Sequence, residues 1–481
     1  MVLRINHNIA AINGHRSVVE NSKSLQRSLE KLASGMKINR SADSPAGLII
    51  SEQMRAQIGG LNQAVDNAET ATTMVQTTEA AMSEVTNILT KLRQLAIHAA
   101  NEGANDRNML EADQLELVNS LDSLDRIALH AQFGIKKLLD GSTGANGVGI
   151  GQGIEFIEAS PRTKASPVEG FDVKVFQLGT RAEVSGTTAL DQEIIDGREE
   201  FTIAEGGRTV SFTTKPGMSV QQTYGLLRNE IEKGGLMIDM IVNDDNTLTF
   251  RHKEYGSKHN FAVSSSTDGV LSEVGRTMQE AERGMDIRGE IGGEVTIGEG
   301  RELTGVDGTK IEGLKIRYIG DRTVDEGSDE TVGRIAVFQN SLTFQVGGNV
   351  GQTVAVSLVN ANTRVLGRGV ENDSGYRSLR DVDLRTAQGS IDTQRLVDVA
   401  INEVNVARAR LGAFSKNALE NNLRQLRVNV EELTNAEAVI RDADMAKEIA
   451  DYTRNQILMQ SSTAMLGQAN QMPRVVLDLL K

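Results

Sequence analysis

The feature that most constrains this 481-residue chain is a heptad pattern of small and apolar residues at each end. In the N-terminal part the pattern advances by alternating steps of three and four through Leu61, Ala64, Ala68, Ala71, Val75, Thr78, Met82, Val85, Leu89, Leu92, Ala96 and Ala99. Apolar residues that repeat every 3.5 positions share one face of a helix, and such helices wind around partners as left-handed coiled coils. The pattern therefore predicts a long helix that is paired with others.

The pattern returns near the C-terminus, and a different composition separates the two ends. The C-terminal positions are Val397, Ala400, Val404, Ala407, Leu411, Phe414 and Ala418, then Leu419, Leu423, Leu426, Val430 and Leu433. Of the 47 glycines, 38 lie between Gly141 and Gly389, among short alternating runs that are typical of half-exposed strands. The sequence thus predicts an α+β fold: a long antiparallel helical bundle or coiled coil formed by both termini, with a β-rich (α+β) central insertion.

The helical ends contain visible boundaries. A first helix is expected from Ile5 to Met36, followed by a break. Ser44 and Pro45 resemble an N-cap and a proline at the first helical position, so a second helix is expected from Pro45 to about Ala100. Gly59-Gly60 is a place where this helix can bend. A third helix is expected to end near Leu139.

The middle is expected to hold strands and one clear helix. Pro161 and Pro167 stand in a polar stretch that favours a linker into this region. The helix is predicted from Val220 to Lys233, and a hairpin is predicted around Asp244 to Asn246. The expected strands include Phe171 to Phe176, Thr209 to Thr213, Thr247 to Phe250 and Leu342 to Val346.

Composition argues against several classes of function. The chain has no cysteine and no tryptophan, and 3% aromatic residues is poor for a concave ligand site. A net charge of −14 repels nucleic acid, so no nucleic-acid partner is expected. No apolar run is long enough for a membrane span, so membrane insertion is not expected. The N-terminus lacks a basic segment followed by an apolar core, which predicts no cleavable signal peptide.

The first 40 residues carry seven lysines or arginines against two glutamates. Two interpretations stay open. The basic residues form a solvated helix face, or they form a basic face that meets acidic neighbours in an assembly.

The residue types that carry catalysis show no usable spacing. His252 and His259 are seven positions apart and Glu254 is misplaced between them, so they do not form a zinc-binding helix motif. We expect this stretch to be an exposed polar strand or loop. Asp442 and Asp444 are expected to make lateral salt bridges rather than to act in acid–base catalysis. The sequence predicts no catalytic residue, no metal, no cofactor and no enzymatic activity.

Several motifs in the two helical ends coincide with those of a known family. They are Leu32 to Asn39 followed by Asp43 and Ala46-Gly47, then Gln76 to Met82, Leu92 to Ala96, and Ala464 to Gln471 followed by Pro473 and Val476 to Leu480. Through these motifs the chain resembles bacterial flagellin over residues 1–140 and 390–481. The segment from Glu199 to Ser266 is also similar to a small module that is inserted in flagellins and hook proteins.

The resemblance implies a structural subunit that polymerises helically into the flagellar filament for swimming motility. It implies export of the unfolded chain through the flagellar type III system, without a cleaved signal peptide, to an extracellular filament. Residues 1–44 and 440–481 would form the filament inner core, residues 45–145 and 388–439 an outer tube, and residues 146–387 a β-rich, surface-exposed variable region. That region would hold two subdomains, one of them the insertion-type module at 194–270.

The same resemblance leaves an alternative open, because hook–filament junction (hook-associated) proteins share these helical ends. Under either assignment the terminal helices are expected to order only on assembly, while Leu61 to Ala99 and Val397 to Leu433 form a preformed coiled core. The implied polymerisation residues are Ile5, Ile9, Ile12, Leu25, Leu29, Leu32, Ile449, Met459, Leu466, Leu477 and Leu480.

The resemblance also implies partners. They are other copies of the chain in a homopolymer, the hook-associated junction and cap proteins, and an export chaperone at the C-terminal helix. A host innate immune receptor would contact Lys91, Leu95 and Glu116. Lys91 stands where the recognised pattern has arginine, and lysine cannot make the same bidentate contacts. The competing interpretation is that Leu95 packs beside Leu92 and Ala96.

Overall fold

The computed structural model describes residues 7–101 and 103–479, and side chains in these ranges as far as residue 471. Its helices are α1 (Ile9–Ser34), α2 (Pro45–Ala99), α3 (Arg107–His130), α4 (Gln192–Asp196), α5 (Val220–Lys233), α6 (Ala387–Phe414), α7 (Asn421–Arg441) and α8 (Met445–Leu479). Its strands are β1 (Gln132–Phe133), β2 (Lys136–Lys137), β3 (Ala145–Ile150), β4 (Ile154–Glu158), β5 (Phe171–Gln177), β6 (Arg181–Ser185), β7 (Glu200–Glu205), β8 (Arg208–Thr213), β9 (Ile238–Val242), β10 (Leu248–Tyr255), β11 (Phe261–Ser265), β12 (Gln279–Glu280), β13 (Arg288–Ile291), β14 (Glu294–Glu299), β15 (Glu302–Gly305), β16 (Lys315–Tyr318), β17 (Gly333–Gln339), β18 (Leu342–Gln345) and β19 (Thr353–Val356).

The ends of the first two helices follow from local chemistry. The Asn8 side-chain oxygen accepts a hydrogen bond from the Ala11 amide at 3.0 Å and caps α1. Gly35 ends α1 with φ 71°, a left-handed conformation that glycine adopts without strain. The Ser44 hydroxyl accepts a hydrogen bond from the Gly47 amide, and α2 begins at Pro45 as predicted.

The heptad positions of α2 are buried over most of its length. From Ala64 to Ala99 every position of the sequence pattern is buried, and Leu61 at its start is half-buried. The helix runs without interruption through Gly59-Gly60. Gly348, at the tip of the hairpin that β18 and β19 form, lies beside Gly60. The predicted long, paired helix is therefore confirmed, and Gly60 lies against the backbone of this hairpin tip.

Contacts divide the chain into two compact units. The first unit comprises Met1–Gln76, Phe344–Val354 and Gly412–Lys481. In its described part α1 pairs with α8, and α7 is joined to the first part of α2 by ion pairs of 2.6 Å from Arg427 to Glu69 and from Arg441 to Glu52. The hydrogen bond from Arg441 lowers the pKa of Glu52.

The two helix breaks of the first unit lie side by side. The Lys37 amide donates to the Arg441 carbonyl at 2.7 Å, and the Ala443 amide donates to the Gly35 carbonyl at 2.9 Å. The α1–α2 connection and the α7–α8 connection are thus bonded to each other.

The second unit comprises Thr77–Thr343 and Ala355–Leu411. Within it, α6 is bonded to the last part of α2 through Arg93 and Asp398 at 2.5 Å. The chain that returns from the strands is bonded to α3, because the Thr363 amide and hydroxyl both donate to the Asp125 carboxylate at 2.9 Å. Polar contacts therefore fasten the returning end of the central region to α3 and hold α6 on α2.

Two predicted boundaries are wrong. α3 ends at His130 rather than near Leu139, because Gly134 adopts φ 60° and turns the chain into the short β1–β2 hairpin. Pro161 and Pro167 do not form a linker into the β-rich region. They lie between β4 and β5, two strands of the same sheet, so the region already begins at β3.

The β-rich region contains two apolar cores. One lies under an antiparallel eight-stranded sheet of order β3-β17-β5-β13-β14-β15-β16-β4. Gly147 on β3 packs against the Phe156 ring on β4, so the two end strands of this sheet lie together and the sheet curls around its core. The other core is formed by residues between Ala182 and Ala281, where α5 packs with the sheets β6-β10-β9 and β12-β11-β7-β8 around Phe201 and Phe250. The predicted α+β class with helical ends and a β-rich middle is confirmed.

A π-helical turn from Ser415 to Glu420 joins α6 to α7. It coincides with a one-residue shift in the heptad pattern: Val404 and Leu411 are seven apart, Leu411 and Leu419 are eight apart, and Leu419 and Leu426 are again seven apart. All four are buried. A π turn accommodates one extra residue per turn, so it keeps the apolar positions buried on both sides of the shift.

This explanation predicts that the extra residue is dispensable. Deletion of the exposed Lys416 converts the π turn to an α turn with an unbroken heptad, so the free energy of unfolding should change by less than about 1 kcal/mol. Deletion of the exposed Asn405 is the control. It displaces Val404 relative to Leu411 and should cost about 2–5 kcal/mol. Denaturant unfolding followed by helical circular dichroism measures both, and equal losses would contradict the explanation.

Candidate functional site

The contacts between α1 and α8 are made largely by polar and small residues. The Asn8 amide group donates to the Ala469 carbonyl at 2.8 Å, and the Asn455 amide group donates to the Ser28 hydroxyl at 3.1 Å. Between them, Asn21 donates to the Leu458 carbonyl at 3.3 Å and to the Ser462 hydroxyl. Asparagines at a helix–helix contact fix its register, at some cost in stability relative to apolar packing.

Because the contact uses small residues, large apolar side chains are left on the outside. The exposed members are Ile9, Ile12, Val19, Leu29, Met445, Ile449, Ile457, Leu458 and Met465, which we call the exposed apolar set. Ile12 is 61% exposed and Met465 is 66% exposed. Single exposed apolar residues are ordinary, but so many on one helix pair indicate an interaction surface.

The predicted polymerisation residues fall into three groups. Ile9, Ile12, Leu29 and Ile449 belong to the exposed apolar set. Leu25, Leu32, Met459 and Leu466 are half-buried. Ile5 and Leu480 lie outside the described residues, as does the side chain of Leu477.

Sequence reasoning missed five members of the exposed apolar set: Val19, Met445, Ile457, Leu458 and Met465. The signal that could have found three of them, Ile457, Leu458 and Met465, is the charge distribution. From Asn455 to Gln471 the chain has no charged residue. Exposed helices usually carry charges on their outer face, so this stretch is suited to burial in an assembly.

The receptor-type residues lie on α2 and α3 of the second unit. The Lys91 ammonium and the Glu116 carboxylate form an ion pair of 2.7 Å, and both side chains are about half exposed, at 55% and 49%. Leu95 follows Lys91 by one helical turn and is half-buried. On the same helix, a hydrogen bond to Asp398 raises the pKa of Arg93. The structure brings Lys91 and Glu116 into contact.

The histidine stretch differs from the expectation of an exposed polar segment. His252 is 2% exposed on β10, and its ring contacts the Glu205 carboxylate at 2.7 Å and stacks on His259. In the part of the chain that the structure describes, no group of three or more His, Asp or Glu side chains is arranged to hold a metal ion.

The two aspartates beside the α7–α8 break have different roles. Asp444 accepts hydrogen bonds from the Ala446 amide at 3.0 Å and the Lys447 amide at 3.2 Å, and so caps α8. Asp442 makes no ion pair among the described residues. A lateral partner for it stays a prediction. Of the helices described, none combines the length and the hydropathy that crossing a bilayer requires.

These features define a class of protein: a structural subunit whose ends pair as helices, carry an exposed apolar set and support a β-rich insertion. Comparison with known proteins identifies the family. Residues 5–143 match the bacterial flagellin N-terminal helical region and residues 394–480 match the flagellin C-terminal helical region. The chain is 30% identical over 472 residues to a flagellin of Clostridium tyrobutyricum, covering 97% of this chain and 99% of that relative.

Other relatives agree. A B-type flagellin of Pseudomonas aeruginosa is 30% identical over 510 residues and is covered, like this chain, over its full length. A solved flagellar junction protein from Legionella pneumophila is 13% identical, with 82% of this chain and 100% of that chain aligned at a TM-score of 0.27. A superposition of that quality does not distinguish filament subunits from junction subunits.

The chain belongs to the bacterial flagellin family. Its function is that of a structural subunit that polymerises helically into the flagellar filament, an extracellular structure of swimming bacteria.

Proposed function

We propose that the chain joins its filament through the exposed apolar set on α1 and α8. The observation that carries this proposal is the inverted arrangement of this helix pair, in which asparagines and small residues face each other and isoleucines and methionines face outward. Apolar surface left exposed by one copy loses contact with water when other copies cover it, which provides the driving force for assembly.

The domain organisation follows the same logic. Residues 1–44 and 440–481 would form the inner core, residues 45–145 and 388–439 the outer tube, and residues 146–387 the outward-facing variable region with the module at 194–270. The bonded helix breaks, where Lys37 meets Arg441, support a boundary at this level of the helical ends. The inserted module's own apolar core supports its assignment as a separate subdomain.

Removing one member of the exposed apolar set should block growth without unfolding the subunit. Ile12→Asn places a polar amide where apolar burial is required, and we expect elongation on filament seeds to slow at least about tenfold. Seeded elongation is measured by light scattering and electron microscopy. Val168→Asn is the matched control, because Val168 is fully exposed in the β-rich region. Equal slowing by both variants would contradict the proposal.

The ends of the filament would use the same surface. We expect the hook-associated junction protein at the base and the cap protein at the tip to contact the exposed apolar set. Growth from seeds capped by the junction protein should therefore fail in Ile12→Asn as well.

We further propose that the chain is exported unfolded through the flagellar type III system and that a chaperone covers α8 before export. The uncharged stretch from Asn455 to Gln471 supports this, since it would otherwise expose apolar residues in the cell. A chain lacking residues 450–481 should lose both chaperone co-purification and polymerisation. A chain lacking the module at 194–270 should keep chaperone binding, and chaperone retained by the first truncation would contradict the assignment.

A second proposed activity is recognition by a host innate immune receptor at Lys91, Leu95 and Glu116. The observation that favours it is the Lys91–Glu116 ion pair, which holds two of the three side chains together on an exposed surface. Lysine presents a point charge rather than a planar fork, so recognition would be weaker than with arginine at this position.

A cell reporter assay tests this activity. Leu95→Ala should lower the half-maximal response at least about tenfold if Leu95 contacts the receptor. Leu115→Ala is the control, because Leu115 is 67% exposed beside Glu116 but outside the patch. Identical responses from wild type and Leu95→Ala would leave Leu95 a packing residue only.

A further inference from the structure

The basic residues of α1 are largely unpaired. Arg16, Lys23 and Arg27 recur at intervals of seven and four, so they share one helix face. All three are exposed, and none makes an ion pair within the described residues. By contrast, the Lys31 ammonium reaches Glu448 at 3.8 Å on the neighbouring α8. We call Arg16, Lys23 and Arg27 the basic face.

The end of α7 shows the opposite surplus. Residues 428–444 contain five carboxylates and a single arginine. That arginine, Arg441, is already engaged by Glu52 at 2.6 Å and by Glu437 at 3.9 Å. Glu431, Glu432 and Asp442 are exposed and make no ion pair within the described residues. We use the name acidic face for these three carboxylates, which lie in the second half of α7 and directly after its end and are not aligned on one side of the helix.

The two faces belong to different helix pairs of the first unit. The basic face lies on α1, which pairs with α8, and the acidic face lies at the end of α7, which pairs with α2. Among the residues that the structure describes, no ion pair joins the two faces, so complementary charges of one subunit remain available to other subunits.

We propose that the basic face of one subunit binds the acidic face of another subunit in the filament. This inference rests on the self-assembly of the chain. Because the two faces are different surfaces, the contact is heterologous, and a heterologous contact that does not close generates an open helical polymer. The charges select the partner surface and its register, while the exposed apolar set supplies most of the binding free energy.

Charge reversal and charge exchange in the full-length chain test the contact. One variant carries Arg16→Glu with Lys23→Glu, a second carries Glu431→Lys with Glu432→Lys, and a third carries all four substitutions. A control reverses Lys233 and Arg283, which are exposed in the β-rich region. Elongation on wild-type seeds, and then on seeds of each variant, is measured at physiological salt.

Each reversed pair should elongate at least about tenfold more slowly than wild type, because like charges would face each other. The fourfold variant on its own seeds should elongate at a rate within about threefold of the wild-type rate. An equal mixture of the two reversed pairs should do the same. Recovery in the mixture also shows that neither variant is misfolded.

Two results would overturn the inference: reversed pairs that elongate like the control, or exchange and mixing that restore nothing. Either result counts only if the wild-type chain elongates in the same assay. If Ile12→Asn also elongates normally, the proposal that the exposed apolar set drives assembly is contradicted. If Ile12→Asn is blocked while the reversed pairs elongate normally, only the proposed charge contact is contradicted.

Discussion

The packing along α2 is the constraint on which the helical ends depend. Its buried face is an unbroken series of heptad positions from Ala64 to Ala99, half of them alanine or threonine, so neighbouring helices can approach closely. Insertion of one residue on a partner helix would turn every later apolar position out of such a face. The π turn at Ser415–Glu420 satisfies that constraint, because it accommodates one extra residue and keeps both Leu411 and Leu419 buried.

The pair of α1 and α8 is built on a different principle. Its contacts include hydrogen bonds from Asn8, Asn21 and Asn455, the approach of Gly14 to Leu466, and a long ion pair between Lys31 and Glu448. Polar contacts of this kind specify orientation more than they stabilise. In the proposed assembly, a weakly stabilised pair with apolar residues outside would gain most of its stability from further copies of the chain. The same contacts between copies would then supply most of the free energy that orders the helical ends and most of the free energy of polymerisation.

The sequence predicted correctly those features that depend on residues close together in the chain. The α2 burial pattern, the start at Pro45 and helix α5 from Val220 to Lys233 were all readable, because each depends on residues a few positions apart. The end of α3 was not, because Phe133-Gly134 interrupts a stretch whose composition still suits a helix. The sheet that places β3 and β4 before Pro161 depends on pairing with β16 and β17, about 160 to 190 residues away, which no local pattern reveals.

The assembly surface was predictable only in part, and for a related reason. Ile9, Ile12 and Ile449 were among the predicted polymerisation residues and are exposed, whereas polar contacts such as Asn21 to Leu458 occupy the α1–α8 contact. Ile457 and Met465 were not among the predicted polymerisation residues. In a chain that polymerises, an apolar side chain can be buried either in the core of its own subunit or in the contact with a neighbouring subunit. Only the three-dimensional contacts of the single chain distinguish them, since residues that its own helices leave uncovered are the ones that other copies can bury.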